Sequence, residues 1–600
     1  MDYIKPINKS EHSKMLYQCT WLVENTVQFS RLQICEKAQI IAPQGKKVTL
    51  IVNGIVKDIK PGLYTGRVIL YVSSLYIARP EGLMVFNQIH APMAAAICLE
   101  NGRIVPEKSV SAAVWGGAVS DKKAEGIYIG AGAEFINGII IDNTDYCVEN
   151  VRMDMEGFGR NDYAGCDSGV LCVGKSNVEI RDSSFNLSGT TRCAIHVSGD
   201  SRVTVDNCDI VNISPDIGWI GRFCWSLPLR GSNRLCQLAG NGQVVYRNCR
   251  LKTNGWGVLS IDGSDEFVSL YVKDCKLELS GPDTHGYGTF CIGPNEVTID
   301  HSVVDVYGFP MLVMGMEGKG RPRIINGSVI KGRRFGAMCV GDDCSIFDII
   351  DSTFDTEKAN IVVKQSSTTI NISNCVMKSK DKVLLQLMDT DECGMDVVKF
   401  RLPIGEEDKY IDGRDLAAVD PALDVTLNLS NMSVEGDIYN STTNLRAYLN
   451  CERDGMGRFH DTLVGPVEFN GDNNANSDAA VENGGKDQRG PKNLAVNAVN
   501  THITGVISSA VQAYPDGVTE LTVDNCLDVS NITQRAAKPV NNGVILHLDK
   551  NSIWTVTGES WLTKLVIEEG ATVEGIIIVN GVQMPAIADE YIGMIKVKPL

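Results

Sequence analysis

The sequence predicts an all-β chain coiled as a parallel β-helix. Three observations carry this: a recurring phrase, glycine-rich turns between short strands, and the lack of helical periodicity through the repeat. The phrase reads as a small-apolar strand, a turn, then V-x-I/V-x-D/N-C/S-x-apolar. Its clearest copies are GVLCVGKSNVEIRDSSF from Gly169, CAIHVSGDSRVTVDNCDI from Cys193, GTFCIGPNEVTIDHSVV from Gly288 and GAMCVGDDCSIFDIIDSTF from Gly336. Self-similarity at a period of about 20–50 residues marks a repeat architecture. Strands of four to six residues alternate with Gly/Asn/Asp/Ser turns, and no 3.6-residue apolar period runs through them.

Aligning the copies defines the coil. The D/N position falls at Asn150, Asp182, Asn207, Asn248, Asp274, His301, Gly327, Asp351 and Asn374, a spacing of about 25 residues broken by two insertions. The next position gives Ser183, Cys208, Cys249, Cys275, Ser302, Ser328, Ser352 and Cys375. Small, weakly polar side chains at one place in every coil suit an internal ladder, which makes several of the cysteines core residues. Coils of this length with three short strands each are the pattern of a parallel β-helix. In that repeat, from Asn150 to Asn374, the chain resembles the right-handed, pectate-lyase-like β-helix superfamily. The resemblance implies a right-handed solenoid with binding loops along one side. It matches no enzyme family's catalytic motif.

Flanking regions extend the reading. LNLSNMSV near Asn431 and LTVDNCLDV near Asn525 repeat the phrase. Residues 1–125 differ, with PQGK, VNG and KPGLY turns between strands, and read as an N-terminal β cap or small β-domain. Residues 126–600 are expected to form the β-helix, with loop insertions at 155–168, 215–241, 378–421 and 470–493. The last insertion is rich in Asn and Gly, as linkers are.

Composition narrows the partners. The 600 residues carry a net charge of −17, which argues against nucleic acid. No apolar run approaches the ~18 residues of a membrane span. The opening stretch MDYIKPINKSEH has no apolar signal-peptide core, and the 19 cysteines contain no C-x-x-C. A reducing cytoplasm is therefore expected, with neither metal nor cofactor. Homo-oligomerisation stays open, because β-helix sides are flat.

The alternation within the first strand of each coil suggests a site. Leu171, Ile195, Leu259, Phe290, Leu312 and Met338 are read as inward, like Val173 and Val197 two places on. The row between them, Cys172, His196, Ser260, Cys291, Val313 and Cys339, is read as outward. A small-residue row bearing a histidine suits a cleft floor; the alternative is a second dry layer beneath loops. The turn entering this strand supplies Asp167, Arg192, Trp256, His285, Tyr287, Tyr307, Arg333 and Arg334 as one wall. The 215–241 insertion adds Trp219, Arg222, Phe223, Trp225, Arg230 and Arg234, whose indole and guanidinium groups suit sugar rings or anionic ligands.

Catalytic candidates are then His196, Asp167, His285, Tyr287 and Asp262. An imidazole titrates near neutrality, and a neighbouring carboxylate sets its tautomer. Substrate-binding candidates are Cys172, Trp219, Arg222, Trp225, Trp256, Cys291 and Arg334. His301, in the D/N row, is expected to replace an asparagine in a stack. Two lookalikes are set aside. Asn143-Thr144-Asp145 and Gly341-Asp342-Asp343-Cys344 imitate polygalacturonase motifs, but with the wrong order and spacing. The basic segment Lys319 to Arg334 lacks the paired aspartates of a calcium-dependent lyase.

The expected function is an intracellular carbohydrate-active enzyme: lyase, epimerase or isomerase, or glycoside hydrolase or transferase. Its substrate would be a saccharide or similar polyhydroxylated compound. Few paired carboxylates favour lyase or isomerase chemistry over hydrolysis, which needs two. An enzyme of small aromatic or polyphenol metabolism and a non-catalytic, tailspike-like fibre are the alternatives.

Overall fold

In a computed structural model the chain is built almost wholly from β-strands, most of them in long parallel sheets, as in a β-solenoid. The structure describes residues 13–600 except 24–26, 43–45, 53–54, 75, 78–91, 133–135, 157–164, 190–191, 214–232, 256, 263–266, 281–285, 315–319, 341–344, 365, 389–414, 422–423, 442–491 and 519–527. No α-helix occurs among the described residues, and none of their helices is long and apolar enough to cross a membrane. The described residues fall into two compact units, one ending at Ser269 and one beginning at Leu270.

The first unit opens with a separate five-stranded sheet between Lys14 and Ser74. It has its own core of Leu16, Phe29, Leu32, Leu50, Val68 and Leu70. Solenoid pairing begins earlier than residue 126, because Pro92–Glu100 already runs parallel to Ile136–Asp142. From there each coil places one strand in each of three sheets. Val170–Val173, Asn177–Arg181 and Ser184–Ser188 make one coil. Cys193–Val197, Arg202–Asp206 and Asp209–Asn212 make the next. Arg234–Ala239, Gln243–Arg247 and Arg250–Thr253 make another, so the expected insertion at 215–241 in fact contains a sheet strand.

Side chains in the second and third sheets alternate cleanly. Val178, Val203 and Val244 stack in register inside, as do Phe185, Ile210 and Leu251, while Glu179 and Arg202 face solvent. The turn between these sheets is a single left-handed residue. Asn150, Asp182, Asn207, Asn248, Asp274, His301, Asn326, Asp351 and Asn374 all hold φ between 44° and 58°. Asparagine and aspartate tolerate this region better than other side chains. Their side chains also bond between coils: Asn207 donates to Asp182 at 2.6 Å, and Asn326 to Asp300 at 2.9 Å. His301 takes an asparagine's place, 2.6 Å from Asp274. Asn326 occupies the slot expected of Gly327, which forms the second residue of a wider turn.

The following position is the expected internal ladder. Ser183, Cys208, Cys249, Ser302 and Cys375 each donate to the carbonyl two residues back, at 2.7, 3.2, 3.0, 2.8 and 3.1 Å. The turn between third and first sheets is held by buried amides. Asn212 Nδ2 donates to the Arg192 carbonyl at 2.9 Å, and Asn233 Nδ2 to Thr253 Oγ1 at 3.0 Å. Losing such a buried donor strands a carbonyl, so Asn212→Ala is expected to destabilise the first unit by about 1–3 kcal/mol. Denaturant unfolding followed by hydrogen exchange in 192–234 measures it.

The second unit repeats the plan. Its first-sheet strands run in parallel order from Tyr287–Ile292 through Phe309–Met314, Ala337–Val340 and Ile361–Lys364 to Val383–Met388. It ends in antiparallel pairing between Ser560–Ile567 and Asp589–Lys598.

Candidate functional site

In the first sheet of the first unit both faces are buried. Leu171 pairs with His196, His196 with Gln237 and Gln237 with Ser260. Cys172 pairs instead with Val197, and Cys236 with Ile195. Cys236 lies beside the inward Tyr246, so Ile195 and Cys236 face the interior. Val197, Cys172 and Leu238 share that face, because alternate residues of a strand point the same way. The outer row is therefore Cys98, Ile140, Leu171, His196, Gln237 and Ser260.

This corrects the expected row. Cys172 is an interior residue, and Leu171 stands next to His196. Burial pushes the Cys172 thiol far above its usual range and that of Cys236 up to about 12. Neither is a thiolate at neutral pH.

The outer face is covered rather than open. His196, Gln237 and Leu171 are 0% exposed. At one end Cys98, Ile140 and Leu171 pack with Cys166 in an apolar cluster. Next to it the turn 165–168 lies directly on the imidazole: a β-carbon on Gly165 would stand 2.8 Å from His196 Cγ and 2.5 Å from Leu171 Cδ1. Two left-handed residues shape this turn, Gly165 at φ 68° and Asp167 at φ 64°. Asn137 staples it, donating to the Gly165 carbonyl at 2.8 Å and accepting from the Asp167 amide at 3.3 Å.

At the other end the buried residues are polar. Asp167 and Arg192 are 0% exposed and lie at the entrance to the first sheet, where the Arg234 amide donates to the Arg192 carbonyl at 3.3 Å. Arg234 is also 0% exposed, and its Nη1 donates to Gln237 Oε1. Arg192 and Arg234 were expected in the cleft wall and in the 215–241 insertion; Gln237 did not emerge from the sequence as a site residue. A carboxyl, an imidazole, two guanidinium groups and an amide thus lie buried along adjoining rows. Burying charge is costly, so such concentrations mark functional sites more often than plain scaffold. Among the described residues, no group of three or more His, Cys, Asp or Glu side chains is arranged to hold a metal ion.

The other candidates fall elsewhere. Asp262 ends the strand Gly257–Asp262, in register with Ala239; its side chain lies outside the described residues. Trp219, Arg222, Trp225, Trp256 and His285 lie outside them too, as does 341–344. In the second unit Tyr287 is 0% exposed, its ring 5.1 Å from that of Phe290. Arg334 lies 5.3 Å over Phe335, which stacks on Phe309. There too the expected faces are exchanged. Cys291, Val313 and Cys339 are in register, both thiols fully buried and protonated. Phe290, Leu312, Met338, Val362 and Gln386 share the outer face, and the segment around Ser530 lies against its far end, the Ser530 carbonyl accepting from Gln386 Nε2 at 2.9 Å and its hydroxyl 3.9 Å from Met338 Sδ. Iodoacetamide on the folded protein at pH 8 is thus expected to label exposed Cys19 and spare Cys172, Cys236, Cys291 and Cys339. Peptide mass spectrometry distinguishes these sites.

Comparison of the chain with family models, with curated proteins and with solved structures finds no match in any of the three.

Proposed function

We propose that the chain is a right-handed, pectate-lyase-like β-helix enzyme that moves a proton on a saccharide or similar polyhydroxylated substrate. His196 is the acid or base, and Asp167 and Arg192 help to bind or orient. The observation that carries this reading is a buried polar cluster: His196, Gln237 and Ser260 in the outer row of one sheet, with Asp167, Arg192 and Arg234 buried at the entrance to its strands. A wall of scaffold would be built more cheaply from residues like its neighbours Ile140 and Leu171. Two buried cations and a single imidazole suit proton abstraction next to a carbonyl or carboxylate better than hydrolysis by paired carboxylic acids. Lyase or epimerase chemistry is therefore favoured.

A screen tests this. Neutral and uronic-acid oligosaccharides are incubated with the protein in deuterated water. Ultraviolet absorbance reads unsaturated products, and mass spectrometry reads deuterium in recovered substrate. Unsaturated product indicates a lyase, and deuterium uptake an epimerase or isomerase. Hydrolysis products alone, or no turnover of any member, would overturn the reading.

A further inference from the structure

We propose that Gln237 is the oxyanion donor of the His196 site, with its amide oriented by Arg234. This rests on the proton-transfer reading above and adds a residue and a role to it. Gln237 and His196 are register partners on adjacent parallel strands. Their side chains leave the same face about 4.8 Å apart. Arg234 Nη1 donates to Gln237 Oε1. A guanidinium has donors and no acceptor, so the atom it meets must be the amide oxygen. The usual ambiguity between amide oxygen and nitrogen is thereby removed. The Nε2 end of the same amide carries two N–H donors.

The orienting arginine is itself held in place. Its backbone amide donates to the Arg192 carbonyl at 3.3 Å, and its carbonyl accepts from Asn212 Nδ2 at 3.4 Å. Asn212 is held by the same ladder, its carbonyl accepting from Asn233 Nδ2 at 2.8 Å. Both Arg234 and Gln237 are 0% exposed, so this donor works where water is excluded and hydrogen bonds to charge are strongest. The chemistry needs such a group. When His196 takes a proton from a carbon next to a carbonyl, the C–H electron pair moves into the carbonyl and leaves an enolate oxygen. A substrate oxygen takes over one Nε2–H bond of Gln237, and that bond strengthens as charge develops. Arg234 polarises the amide in the same sense.

Oxalate, a planar dianion resembling an enolate, is the probe. Isothermal titration of wild type, Gln237→Met, Gln237→Glu and His196→Gln is compared, each with its melting midpoint. The expected result is oxalate binding to wild type and His196→Gln, weakened at least tenfold in Gln237→Met and abolished in Gln237→Glu. Equal binding to wild type and both Gln237 variants, or none to wild type, overturns the donor role. Should the Gln237 variants fail to fold, a crystal structure of wild type with oxalate decides. An oxalate oxygen within hydrogen-bond distance of Gln237 Nε2 supports the role, and oxalate elsewhere or absent contradicts it. Failure of the proton-transfer reading is read separately, from turnover in His196→Gln with the substrate found by the screen.

Discussion

Replacing Phe354 with alanine is expected to destabilise the second unit by about 3–5 kcal/mol, the usual cost of emptying a well-packed aromatic site. Phe354 is 0% exposed and stacks in register between Ile330 and Met377. The Gly336 backbone closes the space beside it: a β-carbon there would stand 2.6 Å from Phe354 Cδ1. Coil neighbours are fixed by hydrogen bonds on both sides, so the cavity cannot collapse. Hydrogen exchange in 345–380, followed through denaturant unfolding, measures the effect. A loss below about 1 kcal/mol would mean the third sheet is not packed as described.

Gly165→Ala is the second large effect, and it falls on the candidate site. The new methyl meets Leu171 and His196 at distances no β-carbon adopts, at a residue with φ 68°. Left-handed backbone costs about 1–2 kcal/mol for alanine, and overpacking a further 1–3. A loss of about 2–5 kcal/mol is expected, with the imidazole displaced. The stapled turn and the sheet beneath it leave no room for relief. Urea unfolding gives the stability change, and histidine nitrogen shifts report the ring. An unperturbed variant would show that the turn does not rest on His196.

The coil was legible in the sequence because its turn imposes a chemical rule. One residue per coil must enter the left-handed region, and the next must bond the carbonyl two places back. Asn207 with Cys208 and His301 with Ser302 show both demands in residue type alone. The faces of the first sheet were not legible. Burial on both sides removes the alternation that fixes which residue points where. In VLCV and CAIHV every position is buried, so an alignment can slip by one residue without violating any pattern. Such a slip placed Cys172 beside His196, where Leu171 stands.

Gln237 was hidden for a different reason. The Trp- and Arg-rich insertion runs without a break into its strand. Yet LCQLAGNGQVVYRNC, from Leu235, carries the same strand, turn and N-C ending as the other copies. Anchoring the alignment on Asn248 and Cys249 exposes it. The register then sets Gln237 beside His196 and Ser260.

On the proposed function, the buried polar cluster around His196 performs proton transfer and is not wall. Turnover by His196→Gln, with the substrate identified by the screen and the melting midpoint recorded alongside, tests it most directly. Turnover is expected to fall by at least about a hundredfold while the midpoint stays within a few degrees of wild type. Full turnover in a normally folded variant would contradict it.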